Sequence, residues 1–423
     1  MKILLHGIGS LGDLHPVMGL AQALQSRGHQ VMLATCHFYK EKVESAGIPF
    51  HGVSPELDPN DAELSRRAMD PKNGSQVVIS EITDSCVRKS YQELLSLKDW
   101  PDLIITGPLS FPAILLAKKF RIKWASMELA PISMFSRFDP AQFPNAMWLH
   151  PLQKNWGPLG HRFFLELVNQ VTRRWVKNVR ALQQELGIKD YDRHASLGQF
   201  SPYLNLAMFS PLIGSPQIDW PKNTVQTGFM FYDRDMKQEP TDALTSFLDA
   251  GDGPIVFTLG SAAVAVADDY FRAAAAASRK LGRRAILIYG REYESNVRGI
   301  EPRDDLLLVP YAPFSTVFSR ASVIVHQGGV GTCAQTLRAG RPCLVVPFSH
   351  DQFDNAARLR RLGVADVIHR HKLNDRTLAD KLRGILSNSV MSRRAQECSA
   401  ILATENGAEA ACTAIESLNS VSY

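Results

Sequence analysis

Cysteine is scarce and unpatterned. Cys36, Cys86, Cys333, Cys343, Cys398 and Cys412 are scattered over 423 positions, and no two form a C-x-x-C pair. That spacing argues for reduced thiols over a disulfide framework or a structural zinc site. No Lys/Arg block occurs and the formal net charge is only +5, which excludes a nucleic-acid footprint. No apolar run approaches the roughly 20 residues that a bilayer span needs. The amino terminus reaches His6 and Asp13 before a signal-peptide core could form. The expected location is the cytoplasm.

What is present is a globular composition, 45% hydrophobic and 21% charged, in a chain long enough for two domains. Residues 2–6 form a short apolar strand. Residues 16–27 then place Val17, Leu20, Ala21 and Leu24 at helical spacing, with Pro16 in the first turn and Gly28 at the end. Strands follow at 31–35, 103–106 and 123–127, with helices at 39–46 and 113–119. The second half repeats the scheme, with strands at 254–259, 284–289, 322–326 and 343–347, a helix at 270–281 and another opening at Thr332. Strands and helices in alternation build a mostly parallel sheet covered on both faces. The expected organisation is two α/β domains, 1–215 and 241–405, joined by a proline-rich linker at 216–240. A last helix, 406–423, is expected to pack back on the first domain. Stretches 58–74 and 131–160 are irregular. Ligands of doubly wound sheets sit outside the carboxyl ends of the strands, so two such domains facing each other would enclose a cleft.

The first strand runs into GIGSLG, Gly7 to Gly12, which spells G-x-G-x-x-G. A dinucleotide site needs an acidic residue at the end of the second strand. That strand ends Leu33-Ala34-Thr35-Cys36-His37, with no carboxylate before Glu41. The glycines therefore serve a close turn of another kind, with Ser10 within it. Asp13 follows directly. It is either an N-cap or a carboxylate held at the cleft to take a proton.

The strand SVIVH enters QGGVGT, where Gly328, Gly329 and Gly331 crowd the turn before Thr332. Backbone N–H groups at such a helix start cradle anions, phosphate above all. Thr332 adds a hydroxyl, and His326 or Gln327 adds a side-chain donor. No Gly-Lys-Ser/Thr follows, so this is not a P-loop. Farther on, Asp351 and Gln352 in PFSHDQFDNA pair a carboxylate with an amide, which suits sugar hydroxyls. A helix cap is the other reading of Asp351.

Residues 326–356 resemble the donor-binding signature of nucleotide-sugar glycosyltransferases of the GT-B fold. That large family includes sterol glucosyltransferases, macrolide and glycopeptide-antibiotic glycosyltransferases and plant secondary-metabolite glucosyltransferases. HGIGSLGDLHPVMGLAQALQSRGHQVMLAT resembles their N-terminal loop, helix and strand. DWPKNTVQTGFMFYD resembles the interdomain segment of the sterol-type branch, TLGSA the loop that reaches the donor phosphates, and VPYAPFSTVF the base-binding segment. The resemblance implies two facing Rossmann-like domains and roles for matching positions. Tyr311 would stack on the base and the Ala312 backbone would bond its edge. Gly260, Ser261, Gly329, Gly331 and Thr332 would hold the pyrophosphate, Ser10 would approach the donor phosphates from the first loop, and Asp351 and Gln352 would hold the donor sugar. Asp13 stands where the family places its catalytic base, a His in many members and an Asp in others. Many members have a His where this chain has Gln327. The fourth-strand Asp of plant enzymes is missing from Thr106-Gly107-Pro108, and their ribose-binding Glu is replaced by Gln335.

The implied reaction is inverting transfer of a hexose, glucose by the lean of Gln352, from a UDP- or TDP-sugar to a hydroxyl of an apolar small molecule or lipid. No cofactor or metal is expected, because the cradle carries the leaving charge. The D-x-D pairs at Asp190–Asp192 and Asp233–Asp235 read as solvated charge. Residues 152–182 place Phe164, Val168, Val171, Trp175, Val179 and Leu182 at helical spacing. Lys154, Arg162, Arg173, Arg174, Lys177 and Arg180 accompany Glu166 as the lone acid of 151–180. Such a helix packs on its own domain with a solvated basic face, or rests on an anionic membrane. Met127, Met134, Phe135, Phe138, Met147 and Trp148 form an acceptor pocket or ordinary core. The expected partners are the donor, the acceptor and, if the basic helix rests on it, a membrane surface, with no nucleic acid, in a monomer or weak dimer. An epimerase of the same architecture and a non-catalytic helper are the competing functions. The helper would be expected to lack the Gly328–Thr332 and Asp351–Gln352 signature that this chain keeps.

Overall fold

The structure, a computed structural model, describes residues 1–58, 61–144, 156–189, 199–232 and 241–420. The chain divides into two compact units. The first comprises Met1–Asp58, Asn73–Tyr232 and Glu405–Tyr423; the second comprises Pro59–Lys72 and Asp233–Thr404.

The first unit holds strands β1 (Lys2–His6), β2 (Gln30–Thr35), β3 (Phe50–Gly52), β4 (Leu103–Thr106), β5 (Lys123–Glu128), β6 (Leu204–Ala207) and β7 (Thr224–Gln226). They form one sheet in the order β3-β2-β1-β4-β5-β6-β7. Every pairing is parallel. The central strands read as continuous apolar runs because both faces are covered. Leu4, Ile104 and Trp124 pack in one cluster with Phe111, Ile114 and Leu116 of the Phe111–Phe120 helix. Order reverses between β1 and β4, so the switch point falls where the Gly7–Ser10 loop leaves β1.

The second unit holds β8 (Ile255–Thr258), β9 (Ala285–Ile288), β10 (Leu306–Val309), β11 (Val323–His326), β12 (Cys343–Val345) and β13 (Ala365–Val367). They form a parallel sheet in the order β10-β9-β8-β11-β12-β13. Its switch point lies between β8 and β11, the strands that enter the Gly260 and Gly328 turns. Tyr270 and Phe271 of the Tyr270–Leu281 helix fill the core beneath it.

Two boundaries differ from those read off the sequence. The expected linker 216–240 contains β7, which completes the first sheet; its residues 233–240 lie outside the described residues. The irregular 58–74 stretch contains a helix, Ala62–Ala68, and the Pro59–Lys72 segment belongs to the second unit, where Met69 joins the core. The Gly407–Ser420 helix packs in the first unit, where the Arg27 guanidinium pairs with Glu409 and Glu416 and His29 Nε2 lies 3.0 Å from Glu416 Oε1. Among the described residues no helix is long and apolar enough to cross a membrane.

Candidate functional site

In the first unit, the helix after β1 starts earlier than its pattern suggests. It spans Leu11–Ser26, with Ser10 as N-cap and Pro16 inside it. The reason is a capping box. Ser10 Oγ accepts from Gly12 N at 3.2 Å, while Asp13 Oδ2 accepts from Ser10 N at 2.9 Å and from Ser10 Oγ at 3.2 Å. These bonds outweigh the donor that Pro16 lacks. Asp13 is thus the third residue of the helix rather than its cap. Gly9 takes φ +135°, and a β-carbon there would strike the Asp13 carboxylate. Tyr39 Oη closes the other side of the loop by donating to Gly9 O at 3.2 Å.

Desolvation raises the Asp13 carboxyl above its ordinary range, and the Ser10 hydrogen bonds oppose that rise. A carboxylate at a helix start also gains from the dipole. The net result is a carboxyl more basic than a solvated one, held rigidly at the switch point of its sheet. His6, at the end of β1, is fully buried, and burial drives its imidazole down to about 3, so it stays neutral.

One further carboxyl at this edge escaped the sequence reading. Glu128 ends β5, is buried and accepts from Gln199 Nε2 at 2.9 Å. Burial pushes it up to about 8, so it is protonated at neutral pH. Its only sequence signal is a carboxylate at the carboxyl end of a strand.

In the second unit the turns after β8 and β11 meet. Gly329 is the N-cap of the Val330–Ala339 helix, two residues earlier than the Thr332 start expected. Gly331 and Thr332 occupy its first turn, where backbone N–H groups lack intrahelical partners. Gly328 takes φ +92°, and a β-carbon on it would press on Val345 and on Gln352 O. A β-carbon on Gly329 would come within 2.7 Å of Gln327 Nε2, and one on Gly260 would overlap the same atom. The Gln327 amide nitrogen therefore lies between both glycine turns. Ser261 follows Gly260 and is partly exposed.

His326 does not join these groups as a donor. It is fully buried, its Nδ1 accepts from Gly328 N at 3.1 Å, and burial takes its imidazole down to about 3. It fixes the turn that Gln327 leaves. Burial of alternating strand residues on opposite faces is the physical reason.

The Asp351–Gln352 pair is also held by its surroundings. Asp351 is at the N-cap position of the Gln352–Leu362 helix but makes no side-chain cap bond. Instead Asp351 Oδ2 accepts from Asn355 Nδ2 at 2.7 Å, and the same nitrogen donates to Gly328 O at 2.9 Å. Asn355, not singled out in the sequence, ties the sugar-type pair to the glycine turn. Gln352 Oε1 accepts from Phe348 N at 2.8 Å and Ser349 N at 3.1 Å, which turns its amide into a clamp on the loop. Ser349 Oγ donates to Asp70 O at 3.1 Å, so the Pro59–Lys72 segment braces this loop.

Tyr311 follows β10, and the Arg291 guanidinium lies 4.5 Å from its ring centroid. Ala312 beside it is buried. Gln335, weighed as a ribose contact, has a buried Oε1 with no hydrogen-bond partner.

The expected apolar acceptor cluster is divided. Met127 is core, and Phe138 is exposed. Met134 and Phe135 line a cavity of about 720 Å³ with Leu165 and Phe200. Lys118, Ser201 and Asn223 also line it, and these precede β5, β6 and β7. The cavity therefore opens beside the amino ends of these strands, away from the edge that carries Asp13. Met147, Trp148, Asp190–Asp192 and Asp233–Asp235 lie outside the described residues. Among the described residues no cluster of His, Cys, Asp and Glu could hold a metal.

Comparison with known proteins matches each half of the chain to a domain of one family. The glycosyltransferase family 28 N-terminal domain matches residues 3–135, and the family 28 C-terminal domain matches residues 255–411. The chain is 29% identical over 428 residues to O-mycaminosyltylonolide 6-deoxyallosyltransferase of Streptomyces fradiae, covering 98% of this chain and 97% of that one. It is 27% identical over 401 residues to a sterol 3-beta-glucosyltransferase of Arabidopsis thaliana, covering 89% of this chain and 60% of the relative. In fold it is similar to the crystallised glycotransferase of kitacinnamycin, with TM-score 0.72, 19% identity and coverage of 99% and 98%. It is also similar to a Streptomyces sp. SF2575 glycosyltransferase complexed with thymidine diphosphate, with TM-score 0.61, 19% identity and coverage of 99% of each chain.

Proposed function

Since the chain belongs to the family 28-type glycosyltransferases of GT-B fold, we propose that it transfers a hexosyl group, with inversion, from a UDP- or TDP-sugar to a hydroxyl of an apolar acceptor. The observation that carries this reading is the convergence of Gly260, Gly329 and the Gln327 amide at the start of the Val330–Ala339 helix. Backbone N–H groups, a neutral amide donor and a helix dipole at one point stabilise the negative charge that develops on a leaving diphosphate. Tyr311 offers a face for the base, and Asp351 with Gln352 offers groups for the sugar. Relatives named for transfer of a 6-deoxyallosyl group to O-mycaminosyltylonolide and of glucose to a sterol support a hexosyl group and an apolar acceptor.

Asp13 is the base. As the acceptor oxygen bonds to the anomeric carbon, the bond from that carbon to the diphosphate oxygen breaks. The acceptor proton passes to the Asp13 carboxylate, and the nucleoside diphosphate leaves. A free alcohol is far too weak an acid for a carboxylate. It acidifies as bonding to the electron-poor carbon develops, so transfer is late and a raised Asp13 basicity helps it. The leaving charge is assigned to the cradle rather than to a metal.

The test is incubation with UDP- and TDP-hexoses, with and without a sterol or macrolide alcohol, read by mass spectrometry. The reading predicts a glycoside only when the acceptor is present. A donor converted to its epimer without acceptor would replace it with the epimerase.

A further inference from the structure

The Gly157–Thr172 helix buries only part of the face its sequence suggests. His161, Phe164 and Asn169 point into the first unit. Outward stand Leu159, Phe163, Leu167 and Val171, at 78%, 77%, 53% and 53% exposure. They recur every fourth residue and so form one continuous ridge, about 18 Å long at helical rise. Other exposed large apolar side chains, such as Phe38, Ile218 and Val390, are scattered along the described chain. A ridge of this kind costs solubility unless something covers it.

Charge says what covers it. Arg162 stands beside the ridge on the exposed side of the helix. Arg173, Arg174 and Lys177 extend from its carboxyl end, all exposed, and Glu166 is the acid among them. A second copy of the chain would bring the same cations against these. An acidic partner would not be repelled, and a linear ridge of Leu, Phe and Val with cations at its flank and end fits the interface of a bilayer. We infer that the Gly157–Thr172 helix is a docking surface for an anionic lipid membrane, with the Leu159–Val171 ridge inserted and the four cations on the headgroups. The inference does not rest on the proposed reaction, because it concerns binding alone.

Vesicle flotation of the full chain tests it. The protein should float with vesicles rich in phosphatidylglycerol and stay down with phosphatidylcholine alone. Each cation near an anionic surface strengthens binding about fivefold, so Arg173→Gln with Arg174→Gln should weaken it about 25-fold. Phe163→Ser with Leu167→Ser should weaken it by about tenfold or more. Unchanged melting and nucleotide binding would show that the variants fold; if the serine pair melts early, the glutamine pair decides. Three results would overturn the inference: no flotation with either vesicle, flotation indifferent to both variant pairs, or a wild-type dimer that the serine pair dissociates. Binding to an acidic protein without any vesicle binding would overturn it too.

Discussion

Gln327 Nε2 lies against the backbones of both Gly260 and Gly329, and a β-carbon on either glycine would strike it. Two turns from separate strands thus leave room for one amide. Gly329→Ala and Gly260→Ala should each displace that amide. The expected result is a rise in nucleotide Kd of about tenfold, the loss of one good hydrogen bond to a charged group. Titration calorimetry with UDP and TDP measures it, with melting as the control for folding. An unchanged Kd in both variants would remove Gln327 from the phosphate site.

Asp13 serves a capping box and, in the proposed reaction, a proton transfer. These roles separate in Asp13→Asn. The amide oxygen can still accept from Ser10 N, so stability should change by no more than about 1 kcal/mol. Turnover should fall by about a hundredfold or more, the range of a lost general base. Nucleotide Kd should hold. Full turnover in Asp13→Asn would leave Asp13 a capping residue only.

The pH dependence follows from the same carboxyl. Asp13 is raised by desolvation, so it acts as a base only above its raised value. Rate should fall on the acid side at a pH above the ordinary aspartate range. A kcat/KM profile that stays flat down to that ordinary range would contradict a base at this position.

Glu128 gives a stability signature. Its carboxyl is about 8 folded against 4.5 as the ordinary value, so between these limits the folded state holds a proton that the unfolded state has lost. Stability therefore falls as pH rises through that window, by up to about 1.4 kcal/mol per pH unit. Glu128→Gln removes the slope and should gain on the wild type from pH 5 to pH 8. Parallel denaturation curves at both pH values would show that Glu128 is not protonated in the fold.

Metal dependence is a separate check on the cradle. Activity should survive EDTA, since backbone N–H groups and Gln327 carry the leaving charge. Loss of activity restored by magnesium or manganese would shift that charge to a metal.

The alternation of apolar strands with helices was enough to expect two mostly parallel sheets, because buried parallel strands must be apolar along their length, but it did not fix the strand order or mark β3, β6, β7, β10 and β13. The glycine turn after β11 could be read for the same local reason. What escaped depends on distant partners. Nothing near residue 65 in sequence says that Ala62–Ala68 belongs to the second unit, since Met69 is placed by packing on a core formed some 200 residues later. Asn355 carries no sequence signal of its own, because its role lies in its two bonds to Asp351 and Gly328. In the basic helix, Phe164, Val179 and Leu182 are buried as their spacing suggested, but Val171 faces out. The turn Arg173–Val176 is 3₁₀, and its three residues per turn shift the phase between the two halves.

Thermal unfolding in the presence of UDP, TDP and their hexose conjugates tests the central claim most directly. Ligand at 100 times its Kd stabilises a protein by about 2.7 kcal/mol. The account predicts a rise in Tm with one nucleotide family, greatest for its preferred sugar, and about half that rise in Gln327→Leu, whose tenfold weaker binding leaves the same ligand at about 10 times its Kd. No rise with any nucleotide, or an equal rise in Gln327→Leu, would contradict it.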